Sequence, residues 1–324
     1  MFEYQNQHKT ITMKNKGTGA VAQALRGNLF MLLATIFFGV NIPLVKYLIP
    51  GWMSAFDVTV FRLCGGCILF WIASAFVRPD RIARSDYPRI LLGGGIGLFA
   101  FIFLFNLSLR YADPIDVSII MTLPPVFVIL INVLFRHARP SKGEIIGVLL
   151  AFAGAAAVIL AKHTGQKASD ALLGNLLALA SALCYAIYLV VLEGPTHKYR
   201  PISLLRWIFL AAAIPALLLT GSLHHAAIFH DAPAGPWLMI TFIVLCPTFL
   251  AYLLVNPAIK LIGSELVSIY QYLVPVVATI ASVCMHLATL HAVQIIAMAV
   301  IIGGMILTNL AKKRRVKSEG EVKG

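Results

Sequence analysis

The sequence has few charged side chains. Asp, Glu, Lys and Arg make up 12% of its 324 residues, about half of the ~25% that is typical of soluble domains. A soluble protein of this size needs a charged surface, and 60% of these residues are hydrophobic. The shortage of charge therefore excludes an ordinary cytoplasmic enzyme, a secreted disulfide-rich scaffold and a disordered chain.

The charges that are present are mostly basic, with a formal net charge of +13. They lie in the breaks between apolar runs and at the two ends of the chain, whereas a nucleic-acid-binding protein gathers its basic residues on one face. We therefore expect no nucleic-acid partner. The expected partners are the lipid bilayer and a small-molecule substrate, with no cofactor and no metal ion, and the chain is expected to be a monomer or a homodimer.

The apolar residues form ten runs of about the length that a membrane-spanning helix needs. The runs are too long for barrel strands and do not alternate polar with apolar residues, and a backbone in lipid must satisfy its own hydrogen bonds. The sequence therefore predicts an all-α integral membrane protein with ten transmembrane helices. The ten runs are residues 28–49, 55–77, 88–109, 114–136, 143–162, 171–193, 201–221, 236–260, 264–288 and 291–311.

Lys and Arg are unequally distributed between the two sides of these spans. Both tails and the loops after the even-numbered spans are basic, whereas the loops on the other side contain only Arg110, Lys162 and Lys167. By the positive-inside rule, we expect a multi-pass protein of the plasma (inner) membrane with both termini in the cytoplasm. An even number of spans agrees with this arrangement.

The chain contains an internal repeat, because residues 99–127 align without a gap with residues 249–277. The identical pairs include Phe99 with Phe249, Asn106 with Asn256, Val117 with Val267, Ser118 with Ser268, Ile119 with Ile269 and Pro125 with Pro275. The third and fourth spans thus correspond to the eighth and ninth, which divides the chain into two halves of five helices. Because five is odd, the second half would enter the membrane inverted, as in alternating-access transporters with a substrate site between the halves.

This repeat defines four predicted regions. Residues 1–27 form a cytoplasmic N-terminal tail, and residues 28–162 form the first five-helix repeat. Residues 171–311 form the second, inverted repeat, and residues 312–324 form a basic cytoplasmic C-terminal tail. The fifth and tenth spans are rich in small residues, which favours helix packing or dimer contacts over a role in lining a substrate path.

Several short motifs occur in a characteristic order along the two halves. They are Phe38 and Gly39 through Lys46 in the first span, Phe61 and Arg62 in the second, Asn106 to Tyr111 ending the third, Pro125 in the fourth, Asn256 to Lys260 in the eighth and Pro275 in the ninth. In this order the sequence resembles the drug/metabolite transporter superfamily, specifically its EamA-type ten-helix members. The resemblance implies an exporter or exchanger of small metabolites, often amino acids or related compounds.

We find no Asp or Glu at the predicted middle of the membrane, but polar and aromatic residues are present there. Such side chains can bind a neutral or zwitterionic solute by hydrogen bonds and stacking, whereas an ion would need a counter-charge. The sequence therefore predicts a small, net-neutral, partly apolar substrate such as an amino acid. The candidate substrate-binding residues, which could instead bond helix to helix, are Asn41, Asn106, Thr122, Tyr185, Tyr188, Tyr252, Asn256, Tyr270, Gln271 and Tyr272.

Charged residues inside the spans are costly, so each is a functional candidate. Their positions along the spans predict two shells that act as gates, the alternative being interfacial snorkelling. The outer shell is Lys46, Asp57, Arg62 and Asp116, and the cytoplasmic shell is Glu193, Arg206, Lys260 and Glu265. Proline interrupts helices, and the candidate hinges are Pro43, Pro125, Pro247 and Pro275.

The function predicted from these features is secondary transport of a small metabolite by alternating access, directed towards export. Two alternatives from other classes remain open at this point. One is a membrane-embedded enzyme that acts on a lipid-linked substrate, and the other is a channel. The sequence does not give the substrate, the direction of transport, the coupling ion or the oligomeric state.

Overall fold

A computed structural model describes the backbone of residues 2–49, 51–136, 140–160, 168–218, 227–230 and 232–321. These residues form helices and connecting turns, and none of the described residues is in a β-strand.

The described residues of the first half form seven α-helices. They are α1 Phe2–Leu48, α2 Ala55–Ala75, α3 Tyr87–Leu91, α4 Phe99–Tyr111, α5 Pro114–Ile120, α6 Pro124–Arg136 and α7 Lys142–Leu160. A short 3-10 helix (Arg84–Asp86) precedes α3, and a π-helix, Leu92–Leu98, joins α3 to α4 as one continuous segment.

In the second half, the part of the chain that the structure describes forms six α-helices with a similar pattern. They are α8 Ala168–Lys198, α9 Pro201–Leu217, α10 Ala234–Ile243, α11 Ala251–Gln271, α12 Val274–Cys284 and α13 Ala292–Glu321. A 3-10 helix, Ala227–Phe229, precedes α10, and a second π-helix, Val244–Leu250, joins α10 to α11.

Eight helical segments among the described residues are long and apolar enough to cross a membrane. Two shorter apolar helices, Pro201–Leu217 and Val274–Cys284, overlap the predicted seventh and ninth spans. The prediction of an all-α integral membrane protein is confirmed, while the number of ten crossings stays a prediction. The helices extend further than expected at both ends, since α1 begins at Phe2 and α13 continues to Glu321.

The contacts between helices follow the same pattern when the two halves of the chain are exchanged. Helix α1 packs against α11 and α12, and its counterpart α8 packs against α4, α5 and α6. Two further contacts join equivalent helices of the two halves, namely α2 with α9 and α7 with α13, and α5 of the fourth span packs against α12 of the ninth. The two halves therefore interlock rather than lie side by side as separate bundles.

Small residues explain the close packing of α7 on α13. A Cβ added at Gly147 would meet the Thr308 hydroxyl and the Gly304 carbonyl, and one added at Gly154 would meet Ile301. A helix with glycine at such positions can approach its neighbour closely enough for backbone contact. In this chain the small residues of these two helices pack against each other, within one molecule.

Candidate substrate cavity

The fourth and ninth predicted spans are both interrupted, and the two breaks lie at the same point of the internal repeat. Helix α5 ends at Ile120 before α6 begins at Pro124, and α11 ends at Gln271 before α12 begins at Val274. Proline lacks a backbone N–H and disfavours helical geometry in the residue before it, so Pro124 and Pro275 account for helices that restart here. Discontinuous helices at corresponding positions of two halves often form the substrate site of a transporter.

A cavity of about 90 Å³ lies at these two breaks. Residues from both halves form its wall, including the equivalent positions Met121 and Gln271 at the ends of the interrupted helices. The wall consists of Phe38, Asn41, Ile42, Arg62, Phe101, Phe105, Ser118, Met121, Thr122, Tyr185, Tyr252, Gln271 and Val274. We refer to this space as the central cavity.

Arg62 is the charged residue in the wall of the central cavity, and it is 4% exposed. Its Nε donates to Thr248 Oγ1 (3.2 Å) and its Nη1 donates to Asn106 Oδ1 (3.5 Å). The guanidinium also lies 5.9 Å from the centre of the Phe105 ring. All three neighbours are uncharged, so these contacts orient the side chain without neutralising it.

The partners of Arg62 are themselves held by hydrogen bonds. Asn106 Nδ2 donates to Thr59 Oγ1 (3.0 Å), and the Thr59 hydroxyl donates to the Ala55 carbonyl (2.7 Å). The Thr248 hydroxyl donates to the carbonyl of Ile243, five residues earlier and the last residue of α10 (2.7 Å). The guanidinium is therefore fixed at a defined position in the wall.

Aromatic rings cover much of the rest of the wall. Phe101 packs on Tyr185 (ring centres 4.7 Å apart), which stacks on Tyr188 (5.7 Å). Phe38 meets Tyr252 edge to face at 6.1 Å. Rings in these arrangements present both apolar faces and hydroxyl groups, so the cavity can bind an apolar group beside a polar one.

A second cavity of about 580 Å³ adjoins this region at one end of the molecule. Its walls are built by α6, α8, α11 and α13, and they include Glu193 and Lys260 with opposite charges. Pro125 and Tyr272, which line it, follow closely on Thr122 and Gln271 of the central cavity. We refer to this space as the wide cavity.

The wide cavity lies at the end of the molecule that carries the basic loops. Tyr199, which lines it, donates from its hydroxyl to Asp86 Oδ2 (2.6 Å), and Lys198 Nζ donates to the same oxygen (2.7 Å). The backbone N–H of Arg200 donates to Asp80 Oδ2 (2.6 Å). These bonds join the loop after α2 to the connection between α8 and α9.

The opposite end of the central cavity is closed by apolar packing. Ile42, Val45, Leu109 and Ile115 are all buried in one cluster there. The Lys46 ammonium donates to the Ala112 carbonyl (2.9 Å), which ties α1 to the end of α4. The molecule is thus wide at one end and packed at the other.

Five of the predicted substrate-binding residues line the central cavity, namely Asn41, Thr122, Tyr185, Tyr252 and Gln271. Two more support its wall, because Asn106 bonds to Arg62 and Tyr188 stacks on Tyr185. The structure places the remaining two described side chains elsewhere. Tyr270 donates to Asn28 Oδ1 (3.2 Å), and Tyr272 lines the wide cavity and accepts from Asn309 (3.0 Å).

The predicted outer shell separates into different environments. Arg62 lies in the wall of the central cavity, because it is seven residues, about 10 Å, beyond the first residue of α2 and its side chain crosses to Thr248. Asp57 caps α2 by accepting from the backbone and hydroxyl of Ser54 (2.7 Å each). Asp116 accepts from Gln294 Nε2 at 2.6 Å, which links α5 to α13.

In the predicted cytoplasmic shell, Glu193 and Lys260 line the wide cavity. Arg206 instead lies against two indole rings, 5.1 Å from that of Trp71 and 5.6 Å from that of Trp207. The side chains of Asn256 and Glu265, a predicted binding residue and a predicted gate residue, lie outside the described residues.

Residues of two kinds at the site were not predicted from the sequence. Phe101, Phe105, Ser118 and Met121 line the cavity, but apolar residues and one serine in a membrane helix carry no distinguishing pattern. Thr248 does not line the cavity but holds Arg62 there, and it was not predicted because it lies in a π-helix, whose altered turn changes the direction in which a side chain points. The sequence did offer a signal for Thr248, because this residue directly follows Pro247 and directly precedes the second copy of the internal repeat.

Two segments of the chain, residues 25–160 and 172–310, each match the EamA-like transporter family. Among similar curated proteins, the uncharacterized transporter YyaM of Bacillus subtilis is 26% identical over 79% of this chain and 85% of its own length. A probable terminal-alkyne amino-acid exporter of Streptantibioticus cattleyicolor is 21% identical over 90% of this chain and 96% of its own. The aromatic amino acid exporter YddG of Ancylobacter novellus is 25% identical over 72% of this chain and 79% of its own.

The family match covers both halves of the chain and follows the division into two repeated units. Together with the apolar helices, it shows that the protein is a multi-pass membrane protein of the transporter class. The chain belongs to the EamA-like transporter family.

Proposed function

We propose that the protein is a secondary transporter that moves a small neutral or zwitterionic metabolite, such as an amino acid, by alternating access. The observation that carries the proposal is the central cavity, which lies at the paired helix breaks and is lined by residues of both halves. A space between two repeats can open to either side in turn when one repeat moves against the other.

The packing at the two ends supports this mode of transport. The wide cavity adjoins the central cavity at one end, and buried apolar side chains fill the other end. We propose that residues 28–162 and 171–311 are the two inverted units, and that their relative motion exchanges the open and the packed end. Pro125 and Pro275 at the breaks, Pro247 in the π-helix and Pro43 in α1 are the proposed hinges.

The orientation proposed from the basic loops assigns the wide cavity to the cytoplasmic side. Lys198 and Arg200 lie beside this cavity, and basic loops face the cytoplasm by the positive-inside rule. We therefore propose a plasma (inner) membrane protein with cytoplasmic termini, in its inward-facing conformation. Export as the direction is supported by the names of two similar proteins, both amino-acid exporters.

We propose that the charged residues beside the two mouths act as gates. Lys46 ties α1 to Ala112 at the packed end, and Glu193 and Lys260 lie on the walls of the open end. Opposite charges on walls that approach each other favour closure of the cytoplasmic mouth. Asp57, Asp116, Arg206 and Glu265 remain proposed members of these two shells.

Counterflow in proteoliposomes tests the proposed function. Vesicles with the purified protein are loaded with one unlabelled amino acid and diluted into the same labelled amino acid, across a panel of the common amino acids. We expect transient accumulation of label for a subset of the panel. Absence of counterflow for every amino acid, with correctly folded protein in the vesicles, would reject the proposal.

The inward-facing assignment predicts different reactivity at the two ends. In a chain whose five native cysteines are replaced, Thr196→Cys introduces a thiol at the exposed edge of the wide cavity, whereas Ala112→Cys introduces one at a fully buried position of the packed end. Thr196→Cys is expected to react with a membrane-impermeant maleimide added to inside-out vesicles. Ala112→Cys is expected to stay unlabelled from either side when no substrate is present.

The same labelling experiment can contradict the proposal. Rapid reaction of Ala112→Cys from the outside, with Thr196→Cys protected, would mean that the resting transporter faces outwards. Simultaneous rapid reaction of both thiols would fit an open channel rather than alternating access.

A further inference from the structure

The guanidinium of Arg62 has hydrogen-bonding capacity that the described residues do not use. Of the five N–H groups of a guanidinium, Thr248 and Asn106 accept from two, which leaves three without an acceptor among the described residues. No described carboxylate forms a salt bridge with this side chain, which is 96% buried in the wall of the central cavity (4% exposed).

Burial of an arginine that has no charged partner costs free energy. A cation inside a membrane protein costs about 3 kcal/mol or more unless it is paired, and the apolar neighbour Phe105 compensates little of that cost. The planar arrangement of N–H groups matches the two oxygens of a carboxylate, which it binds with two parallel hydrogen bonds. The vacant N–H groups therefore favour an anionic ligand group at this position of the cavity.

The same cavity contains an unused acceptor. The side-chain oxygen Oδ1 of Asn41 is buried and has no hydrogen-bond partner in the described structure. Asn41 is 4% exposed and lies on α1, whereas Arg62 lies on α2, so the two residues enter the cavity from different helices. An amide oxygen can accept a hydrogen bond from an ammonium group, and leaving a buried acceptor unpaired costs about 1–3 kcal/mol.

The remaining wall is suited to an uncharged hydrocarbon group. Phe38, Phe101, Tyr185 and Tyr252 surround the space beside Arg62 and Asn41. No Asp or Glu lines the central cavity among the described residues. A basic or acidic side chain on the ligand would therefore lack a counter-charge there, whereas an apolar one would contact ring faces.

We propose that the central cavity binds an α-amino acid with an apolar side chain, whose carboxylate lies on Arg62 and whose ammonium group lies on Asn41. This inference rests on the proposed function, since it assigns the substrate class of that same cavity. Arg62 is thus a substrate-binding residue. The ligand carboxylate supplies the counter-charge that the described residues do not give Arg62, and the bound zwitterion adds no net charge to the membrane interior.

Binding to the purified, detergent-solubilised full-length protein tests the inference separately from transport. Isothermal titration calorimetry compares L-leucine with three analogues: L-leucinamide, which lacks the carboxylate, 4-methylpentanoate, which lacks the ammonium group, and isopentylamine, which lacks the carboxylate and keeps the amine. A hydrogen-bonded charged group is worth about 10- to 100-fold in affinity. We expect each analogue to bind at least about 10-fold more weakly than leucine.

Variants then assign the two ends of the ligand. Arg62→Gln and Arg62→Lys are expected to weaken leucine binding about 10- to 100-fold and to remove most of the difference between leucine and leucinamide. Asn41→Leu is expected to remove most of the difference between leucine and 4-methylpentanoate. Arg110→Gln is the matched control, because Arg110 is exposed and its guanidinium lies over Tyr111, away from the cavity, and it should bind leucine as the unaltered protein does.

The ligand series needs no variant to fold, so the inference can be rejected on the unaltered protein. Equal binding of leucine and leucinamide, or no binding of leucine, would overturn it. Leucine binding that keeps its preference for the carboxylate in Arg62→Gln would also overturn it. Discrimination as expected without any counterflow in proteoliposomes would support the site while rejecting the proposed transport function.

Discussion

Replacing Met121 by tryptophan is expected to abolish transport while the protein remains folded. Met121 lies in the break between α5 and α6, so it is not inside a continuous helix. Its side chain forms part of the wall of the central cavity. A tryptophan side chain is much larger than methionine, and a cavity of about 90 Å³ offers little spare volume. The indole would occupy the space that the substrate needs.

The measurement is counterflow of the best amino acid of the panel, with the amount of inserted protein held equal. We expect the rate to fall more than about 10-fold, which corresponds to a rise of more than about 1.4 kcal/mol in the effective barrier. Met121→Leu is the matched control, because volume-conserving apolar exchanges usually cost less than about 1.5 kcal/mol, and it should transport at a similar rate. Undiminished counterflow by Met121→Trp would place the substrate path elsewhere.

Replacing Gly147 by alanine is expected to destabilise the protein more than other single methyl additions. The added Cβ would collide with the Thr308 hydroxyl and with the Gly304 carbonyl, which are held by the facing helix α13. The Thr308 hydroxyl also donates to the Gly304 carbonyl (2.9 Å), so neither group can move independently. Overpacking of a tight contact costs about 1–3 kcal/mol, and we expect about 3 kcal/mol here because backbone atoms are involved.

Gly303, on the helix that faces Gly147, provides a matched control. It lies in α13 beside Gly304, but a Cβ added there would meet nothing within 4 Å. Gly303→Ala should therefore be neutral or stabilising, since alanine is favoured over glycine in a helix by about 0.5–1 kcal/mol. Unfolding in mixed detergent micelles measures both variants, and equal stability of Gly147→Ala and Gly303→Ala would contradict the packing described for α7 and α13.

The periodic and compositional features of the sequence were sufficient to predict the class of fold. Long apolar runs with few charges can satisfy their backbone groups in lipid only as helices, and the described helices overlap the ten predicted runs. The gapless repeat likewise located Pro125 and Pro275, each the second residue of one of two equivalent half-helices. These features depend on neighbouring residues along the chain, so they can be recognised without a tertiary structure.

The candidate site was predictable only in part. Asn41, Thr122 and Gln271 were identified because polar residues in an apolar segment are conspicuous, and they line the central cavity. Tyr270 and Tyr272 flank Gln271 but lie apart from that cavity, since three consecutive residues at the end of a helix point in different directions. The sequence could not say which of the three would face the cavity.

The sequence by itself determined that this chain is a helical membrane protein built from two repeated units, because hydropathy and repetition are properties of the linear order of residues. Only the tertiary structure decided that Arg62 lies in the wall of the central cavity with uncharged partners. The physical reason is that burial and pairing depend on residues far apart in the chain. Thr248, 186 positions from Arg62, was brought beside it by the packing of α2 against the π-helix before α11.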